Sequence, residues 1–264
     1  MPLSLPIFGS LSIHIYGFFI MIGVCILLYA LTHDKPRKKV LSLDNLYMLA
    51  TYSIIGGVVG GKLVYLIEFL QEYGISKWKQ SMPFSGGGFS ILGTIIGVGI
   101  TLIGYLYYHK LPLLLITDRI ALYAPLTQAI ARLGCFFAGC CAGIPTDSFL
   151  AVVYTDAESL APLYCSIHPT QLYSSVFLLI IFIFSFILEK KHFKKPGQLT
   201  AYYLILVSIE RFSIDFLRDD RVLIINNFSL MQLISLALGM LGLFLMINSS
   251  KNSIPSHSFS TEKS

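Results

Sequence analysis

Charge is what this sequence has least of. Of its 264 residues only 12% are Asp, Glu, Lys or Arg, where a soluble domain carries about 25%. That scarcity excludes an ordinary solvated surface. With 55% hydrophobic residues and a mean hydropathy of +0.73, it points to a chain that crosses a bilayer repeatedly. The formal net charge of +5 gathers in short loops, so topology accounts for it and no nucleic-acid partner is expected. Met1–Ser10 lacks a basic n-region, and no small-residue cleavage pattern follows the first apolar run. That run reads as a span, not a cleaved leader. Five cysteines fix no disulfide framework by themselves.

What is present is a series of seven apolar segments. They run over about Ser12–Leu31, Leu46–Phe69, a glycine-rich start at Ser85 through Tyr108, Leu114–Ala131, Ser166 through Leu188, Gln198–Leu217 and Phe228–Ile247. About 20 residues suffice to cross a hydrocarbon core of about 30 Å. Lys35, Arg37, Lys38 and Lys39 form one basic loop, and Lys190, Lys191, Lys194 and Lys195 form another on the same side. Asp147–Ile167, acidic and free of Lys and Arg, falls on the opposite side. By the excess of positive charge in cytoplasmic loops, the expectation is an all-α integral membrane protein of seven transmembrane helices. Its N-terminus lies outside and its C-terminus is cytoplasmic. Residues 1–247 are expected to form one membrane domain and the polar, Ser-rich 248–264 a disordered cytoplasmic tail. Nothing in the pattern demands more than a monomer.

Charges that remain inside such spans are costly and therefore informative. Lys62 follows Gly56, Gly57, Gly60 and Gly61, small residues that allow close helix packing. It reads either as a snorkelling or ion-paired lysine or as an anion site. Tyr16 reads either as an interfacial anchor or as a site residue. Arg211, Asp215 and Arg218 recur at about one helical turn and read as an ion-paired ladder on one face. Arg132, His168, Arg211, Arg218 and Gln232 come from four segments yet fall at one depth near the outer ends of their spans. Arginine binds phosphate bidentately, and a low dielectric strengthens the contact. The pattern alone supports a site for a phosphate-bearing lipid at the outer leaflet.

The least ordinary stretch is Ala131–Thr146, ARLGCFFAGCCAGIPT, with Arg132, Gly134, Gly139 and Gly143 around Cys135, Cys140 and Cys141. Four readings of the cysteines stand open. They are small-residue packing, a disulfide (Cys135 with Cys140, or either with Cys165), a nucleophile, and a metal site. Against the last, C-x4-C-C lacks the usual ligand spacing and no His lies close in sequence, so no metal ligands are assigned.

These pieces resemble the bacterial prolipoprotein diacylglyceryl transferases from about Ile13 to Leu243. IHIYG at Ile13–Gly17 is similar to the family's Tyr-Gly opening of the first span, and Gly60–Lys62 to its Gly-Ala-Arg, with lysine for arginine. Within Ala131–Gly143, Arg132, Gly134, Phe136 and Gly143 match the signature G-R-x-G-N-F-x-N-x-E-x-x-G. His168–Tyr173 resembles His-Pro-Ser/Thr-Gln-Leu-Tyr. Arg211-Phe212 with Asp215 and Arg218-Asp219 resembles R-F-x-x-E-x-x-R-x-P-D, and Leu230–Gln232 the Met-Gly-Gln of the last span.

The resemblance implies a multi-pass enzyme of the bacterial inner membrane with its N-terminus periplasmic. Such an enzyme moves the diacylglyceryl group of phosphatidylglycerol to the lipobox cysteine of a prolipoprotein signal peptide and releases glycerol phosphate, with no cofactor and no metal. Its partners are that lipid, that peptide and the bilayer. It implies Arg132, Arg211, Tyr16 and His168 as catalytic candidates, and Arg132, Arg218, Gln232, Gly134, Gly143 and Lys62 as substrate-binding candidates. The chain also departs from the pattern at polar positions. Leu92 stands for the histidine of the family's His-Gly-Gly, Cys135 for the signature asparagine, Cys140 for its glutamate, and Ser174 for the acidic residue after Gln-Leu-Tyr. A different acceptor, or a lipid-binding relative without catalysis, are the alternatives these departures leave.

Overall fold

A computed structural model of the protein describes residues 4–8, 11–73, 88–225 and 227–251. An antiparallel hairpin, β1 (Ser4–Phe8) and β2 (Leu11–His14), leads directly into α1 (Ile15–His33). The first helix therefore starts later than the expected Ser12, because Ser12, Ile13 and His14 pair with Pro6, Leu5 and Ser4 as a strand. Then come α2 (Lys35–Lys38), α3 (Leu43–Tyr73), α4 (Ile91–Tyr108) and α5 (Leu113–Ala138). A two-residue ladder, β3 (Val152–Val153) with β4 (Ser166–Ile167), precedes α6 (Thr170–His192) and α7 (Gln198–Asp215). A second hairpin, β5 (Leu223–Ile225) and β6 (Phe228–Ser229), opens α8 (Leu230–Lys251). Ser85–Gly87 of the expected third-span entrance lie outside the described residues, as do 252–264 of the expected tail; 248–251 belong to α8.

Among the described residues, six helices are long and apolar enough to cross a membrane: α1, α3, α4, α5, α6 and α8. The chain is a mostly helical, multi-pass membrane protein. The expected sixth span, Gln198–Leu217, corresponds to α7, a helix of 18 residues. Glu210, Arg211 and Asp215 near its C-terminal end, with Gln198 and Thr200 at its start, keep it out of that set.

The chain divides into two compact units, one of Met1–Asp34 with Thr117–Ser264 and one of Lys35–Ile116. Within the second, α3 and α4 pack backbone to backbone. A β-carbon at Gly60 would run into the Gly93 carbonyl, one at Gly97 into the Gly56 carbonyl, and one at Gly57 would stand 3.0 Å from Val98 Cγ2. The small-residue stripe thus does what its spacing predicts, replacing side-chain contact by close backbone approach. Lys62 belongs to this unit, where its Nζ donates to the Gly88 carbonyl at 3.1 Å and lies 5.7 Å over the Tyr65 ring.

In the first unit, α1 approaches α5 at two glycines. A β-carbon at Gly23 would meet the Thr127 carbonyl at 3.1 Å, and one at Gly134 would meet Phe19 Cβ at 2.8 Å. The Ser175 hydroxyl donates to the Ala129 carbonyl at 3.0 Å, joining α6 to α5. Gln128 Nε2 donates to the Tyr203 hydroxyl at 2.8 Å, joining α5 to α7. At the end of this unit that carries the 190–195 loop, Arg119 donates to both Asp34 oxygens at 2.8 and 2.7 Å and to Glu189. Beside it, Asp118 accepts from Gly197 N at 2.7 Å and from Thr200 N at 2.8 Å, at the first turn of α7 where a carboxylate complements the helix dipole. Asp118, Arg119 and Gln128 are engaged with protein in this way, which fixes where α1, α5, α6 and α7 meet.

Candidate active site

The opposite end of the same unit holds the second polar cluster. Helix α5 continues seven residues past the expected Ala131, so Arg132, Gly134 and Cys135 stand on its last two turns. The chain then reverses over Gly139 and Cys141, both at positive φ (73° and 60°). Glycine takes that conformation freely, but a cysteine does so only when held. Two side chains from the first turn of α6 hold it: Gln171 Nε2 donates to the Cys140 carbonyl and Thr170 Oγ1 to the Cys141 carbonyl, each at 2.7 Å. Gly139 also sits against Ala161 N, 2.9 Å from where a β-carbon would be.

Past the reversal, Ala142–Pro145 runs as an extended segment between two others. Gly143 N donates to the His168 carbonyl at 3.2 Å, His168 N to Ile144 O at 3.1 Å, Ile144 N to Leu217 O at 2.9 Å, and Asp219 N to Ala142 O at 3.2 Å. Gly143 bridges Arg218, and Pro145 bridges Ile167. A β-carbon at Gly143 would lie 2.6 Å from His168 Cβ and 3.0 Å from Leu217 O. Glycine is what lets three chain segments meet there, and the meeting places His168 and Arg218 on either side of the turn.

Around this frame the expected residues separate into groups. Tyr16, on the first turn of α1, is brought beside α5 by Gly134, whose absent β-carbon would stand 3.3 Å from the Tyr16 carbonyl. The Tyr16 hydroxyl lies within charge-interaction range of Arg132 and of Cys135, Cys140 and Cys141. Arg132 is buried, 7% exposed, and its Nη2 has no hydrogen-bond partner among the described residues. An enclosed guanidinium with an open donor is costly and suits an anion that arrives later. Arg218 forks onto Asp220 at 2.7 and 2.5 Å and also faces Cys141. His168 Nδ1 is 3.3 Å from the Tyr173 hydroxyl. Arg211 stands apart: its side chain is 42% exposed, and its one described ionic partner is the adjacent Glu210 at 3.8 Å. Lys62 belongs to the other unit.

The expected ladder of Arg211, Asp215 and Arg218 does not form. Helix α7 ends at Asp215, and that carboxylate turns instead to Arg221 at 3.1 Å and to the Ser229 hydroxyl at 2.6 Å. Arg221 continues to Gln232 Oε1 at 3.2 Å. Ser229 and Gln232 form a reciprocal cap on α8, with Gln232 N donating to Ser229 Oγ at 3.1 Å and Ser229 N donating to Gln232 Oε1 at 3.0 Å. Gln232 is fully buried, and its Nε2 is left without a partner among the described residues. A cleft of about 120 Å³ opens between Arg218, Arg221, Asp215 and Asp220.

All five cysteines are free thiols. Cys135, Cys140 and Cys141 place their sulfurs within 4.8 Å of one another, whereas Cys165 packs instead with Ala142, Ala161 and Ile167. The Cys141 thiol is drawn well below its ordinary range by hydrogen bonds from the Cys135 and Cys140 thiols, with Arg218 and Arg132 adding to the effect. Burial of Arg218 opposes its charge, but the bond to Asp220 more than offsets that and holds it protonated. Beside the cluster, burial pushes the Tyr154 hydroxyl up to about 12 while it donates to the Phe136 carbonyl at 2.7 Å.

Several participants escaped the sequence reading. Gln171 lies inside the HPTQLY motif, but only the fold shows it bonded to the cysteine turn, with a buried Oε1 that has no partner among the described residues. Glu210, 1% exposed, accepts from the Ser174 hydroxyl. Its signal was a carboxylate next to Arg211 in an apolar helix. The spacing Ser229-x-x-Gln232 before an apolar run was the signal for the cap.

The comparisons follow this geometry. A family model described as prolipoprotein diacylglyceryl transferase matches residues 2–248. The chain is 33% identical over 244 residues to a phosphatidylglycerol–prolipoprotein diacylglyceryl transferase of Clostridium tetani, covering 92% of this chain and 95% of that one. It is 34% identical to the protein of that name from Dehalococcoides mccartyi, over 87% of this chain and 88% of the other. It is 33% identical to the one from Thermotoga maritima, over 92% and 84%.

Proposed function

The chain belongs to the prolipoprotein diacylglyceryl transferase family, and from that membership we infer that it moves a diacylglyceryl group from phosphatidylglycerol onto the lipobox cysteine of a prolipoprotein. The observation that carries the reading to a site is Arg132, a buried guanidinium with an open Nη2 beside Tyr16 and across the cysteine turn from Arg218.

The acceptor thiol attacks the glyceryl carbon that bears the phosphate ester. A C–S bond forms and the C–O bond breaks, its electron pair leaving on the phosphate oxygen of glycerol phosphate. The thiol proton must be taken up first, because the thiolate is the nucleophile. Leu92 stands where the family pattern has a histidine, so that proton goes to another group, and His168 and Tyr16 are the titratable candidates in the first unit. Arg132 and Arg218 neutralise the charge that gathers on the leaving phosphate, a role in which one preorganised donor is worth about 10²–10³ in rate. Arg211, half-buried and with Glu210 as its ionic partner among the described residues, faces the approach of the lipid. Gln232 and Lys62 are substrate-binding positions, the former through its open Nε2. Gly134 and Gly143 act by bringing Tyr16 and His168 close.

The topology that fits this reading has seven spans, with α7 added to the six apolar helices, over residues 1–247 in a bacterial inner membrane. The N-terminus and the site are periplasmic, and the basic loops and the segment 248–264 are cytoplasmic. The test is transfer of labelled phosphatidylglycerol to a lipobox peptide by the purified chain in detergent or nanodiscs. Transfer by wild type and its loss in Arg132→Ala support the reading. A correctly inserted wild-type chain that transfers nothing, and fails to rescue a strain depleted of the transferase, overturns it.

A further inference from the structure

The cysteines that replace polar residues of the family signature have not simply filled space. The spacing C-x4-C-C argues against a metal only while the segment is thought of as continuous helix or loop. The reversal over Gly139 and Cys141 returns Cys140 and Cys141 to Cys135 on the last turn of α5, and all three sulfurs come within 4.8 Å of one another. Sulfurs about 2.3 Å from a zinc-like ion stand about 3.8 Å apart when tetrahedral and about 4.0 Å apart when trigonal. Closing the cluster onto an ion therefore takes less than about an ångström per pair.

The donors are also oriented from behind. Gln171 and Thr170 fix the carbonyls of Cys140 and Cys141 at 2.7 Å each, the kind of outer support that holds ligands in place. Cys135 is 8% exposed and the other two thiols are half-buried, so one side of the cluster stays open for an exchangeable fourth ligand. Charge is matched as well. Three thiolates around a divalent ion carry one net negative charge, and Arg132 and Arg218 both interact with Cys141. An all-sulfur set takes soft ions and refuses Mg²⁺ and Ca²⁺.

The geometry points to Cys135, Cys140 and Cys141 as a three-thiolate site for one thiophilic d¹⁰ cation of the Zn²⁺, Cd²⁺ or Cu⁺ class at the rim of the active site. The assignment stands on the sulfur geometry and not on the transfer reaction.

The experiment is an anaerobic titration of the reduced, full-length chain in detergent with CdCl₂, followed by the ultraviolet sulfur-to-cadmium charge-transfer band. The band is expected to saturate at one ion per chain and to be unchanged by excess Mg²⁺ or Ca²⁺. Cys135→Ser, Cys140→Ser and Cys141→Ser should each weaken binding at least tenfold and lower the band, while Cys25→Ser and Cys165→Ser leave both unchanged. Each variant is first checked for a wild-type elution profile and thermal transition. No band in the reduced chain overturns the assignment. So does saturation at one ion per two chains, or a band that survives the cluster substitutions and disappears with Cys25 or Cys165.

Discussion

The backbone N–H of Gly143 donates to the carbonyl of His168 at 3.2 Å, and a β-carbon at Gly143 would stand 2.5 Å from that same oxygen. The pairing that places His168 thus depends on a side chain being absent. Gly143→Ala is expected to force the 142–145 segment away from His168, at about 1–3 kcal/mol of overpacking. Transfer activity should fall far more than the helical circular dichroism signal, because no transmembrane helix depends on this contact. Equal activity in the alanine variant would show that the segment relaxes without moving His168.

Arg132 offers a stability–function exchange. Its Nη2 is buried without a partner among the described residues, so replacing the side chain with an apolar one of similar length removes a buried charge. Arg132→Met is expected to raise the thermal midpoint in lipid-free detergent, by an amount corresponding to about 1–3 kcal/mol. It should abolish the further stabilisation that added phosphatidylglycerol gives the wild type. A scan with and without lipid reads both effects in one experiment.

Ser229 caps α8 and also donates to Asp215 at 2.6 Å. Ser229→Ala removes the cap and strips a hydrogen-bond donor from the Asp215 carboxylate of the Asp215–Arg221 pair. A loss of about 1–2 kcal/mol in denaturant midpoint is expected. Ser229→Thr, which keeps the hydroxyl, should recover most of it.

Arg119 is the charge on which Asp34 and Glu189 both converge. Arg119→Leu takes this guanidinium from the buried Asp34 and the half-buried Glu189 and should cost about 3–5 kcal/mol. The variant that reaches the membrane should keep its KM for lipid, since the cluster lies at the far end of the first unit from Arg132. A raised KM would contradict that separation.

Tyr154 gives a pH signature. Burial raises its hydroxyl from the ordinary 10.0 to about 12, so the folded state holds that proton more tightly than the unfolded state. The stabilisation is therefore complete below pH 10 and is lost as pH rises from 10 to 12. Difference absorbance of wild type minus Tyr154→Phe should show one phenolate forming near pH 12, and the Phe variant should lose less stability across that interval.

The sequence made some of this plain and concealed the rest for definite reasons. Long apolar segments are local properties, so the helices could be read directly, and the Gly56–Gly61 stripe foretold close packing because its spacing is a property of one helix. The Arg211–Asp215–Arg218 ladder failed because it assumed that α7 continues. The chain stops at Asp215, and Arg221 captures the carboxylate instead. The meeting of Cys135 with Cys140 and Cys141 was hidden, since it depends on a left-handed residue and on donors 31 and 29 positions away on α6. Gln171 carries no charge to mark it, and only its buried neighbours give it a role.

The two compact units differ in how the ribosome delivers them. Lys35–Ile116 is one uninterrupted stretch, so α3 and α4 are complete before α5 is synthesised. The other unit is split by it. Asp34 emerges 85 residues before Arg119, and Arg119 emerges 70 before Glu189. Insertion must therefore leave α1 waiting for partners while a finished helical hairpin forms downstream, and the three-way ion cluster closes only when α6 arrives. A chain truncated after α5 should hold Arg119 with only one of its two carboxylates, which makes the arrival of α6 the moment at which this unit locks.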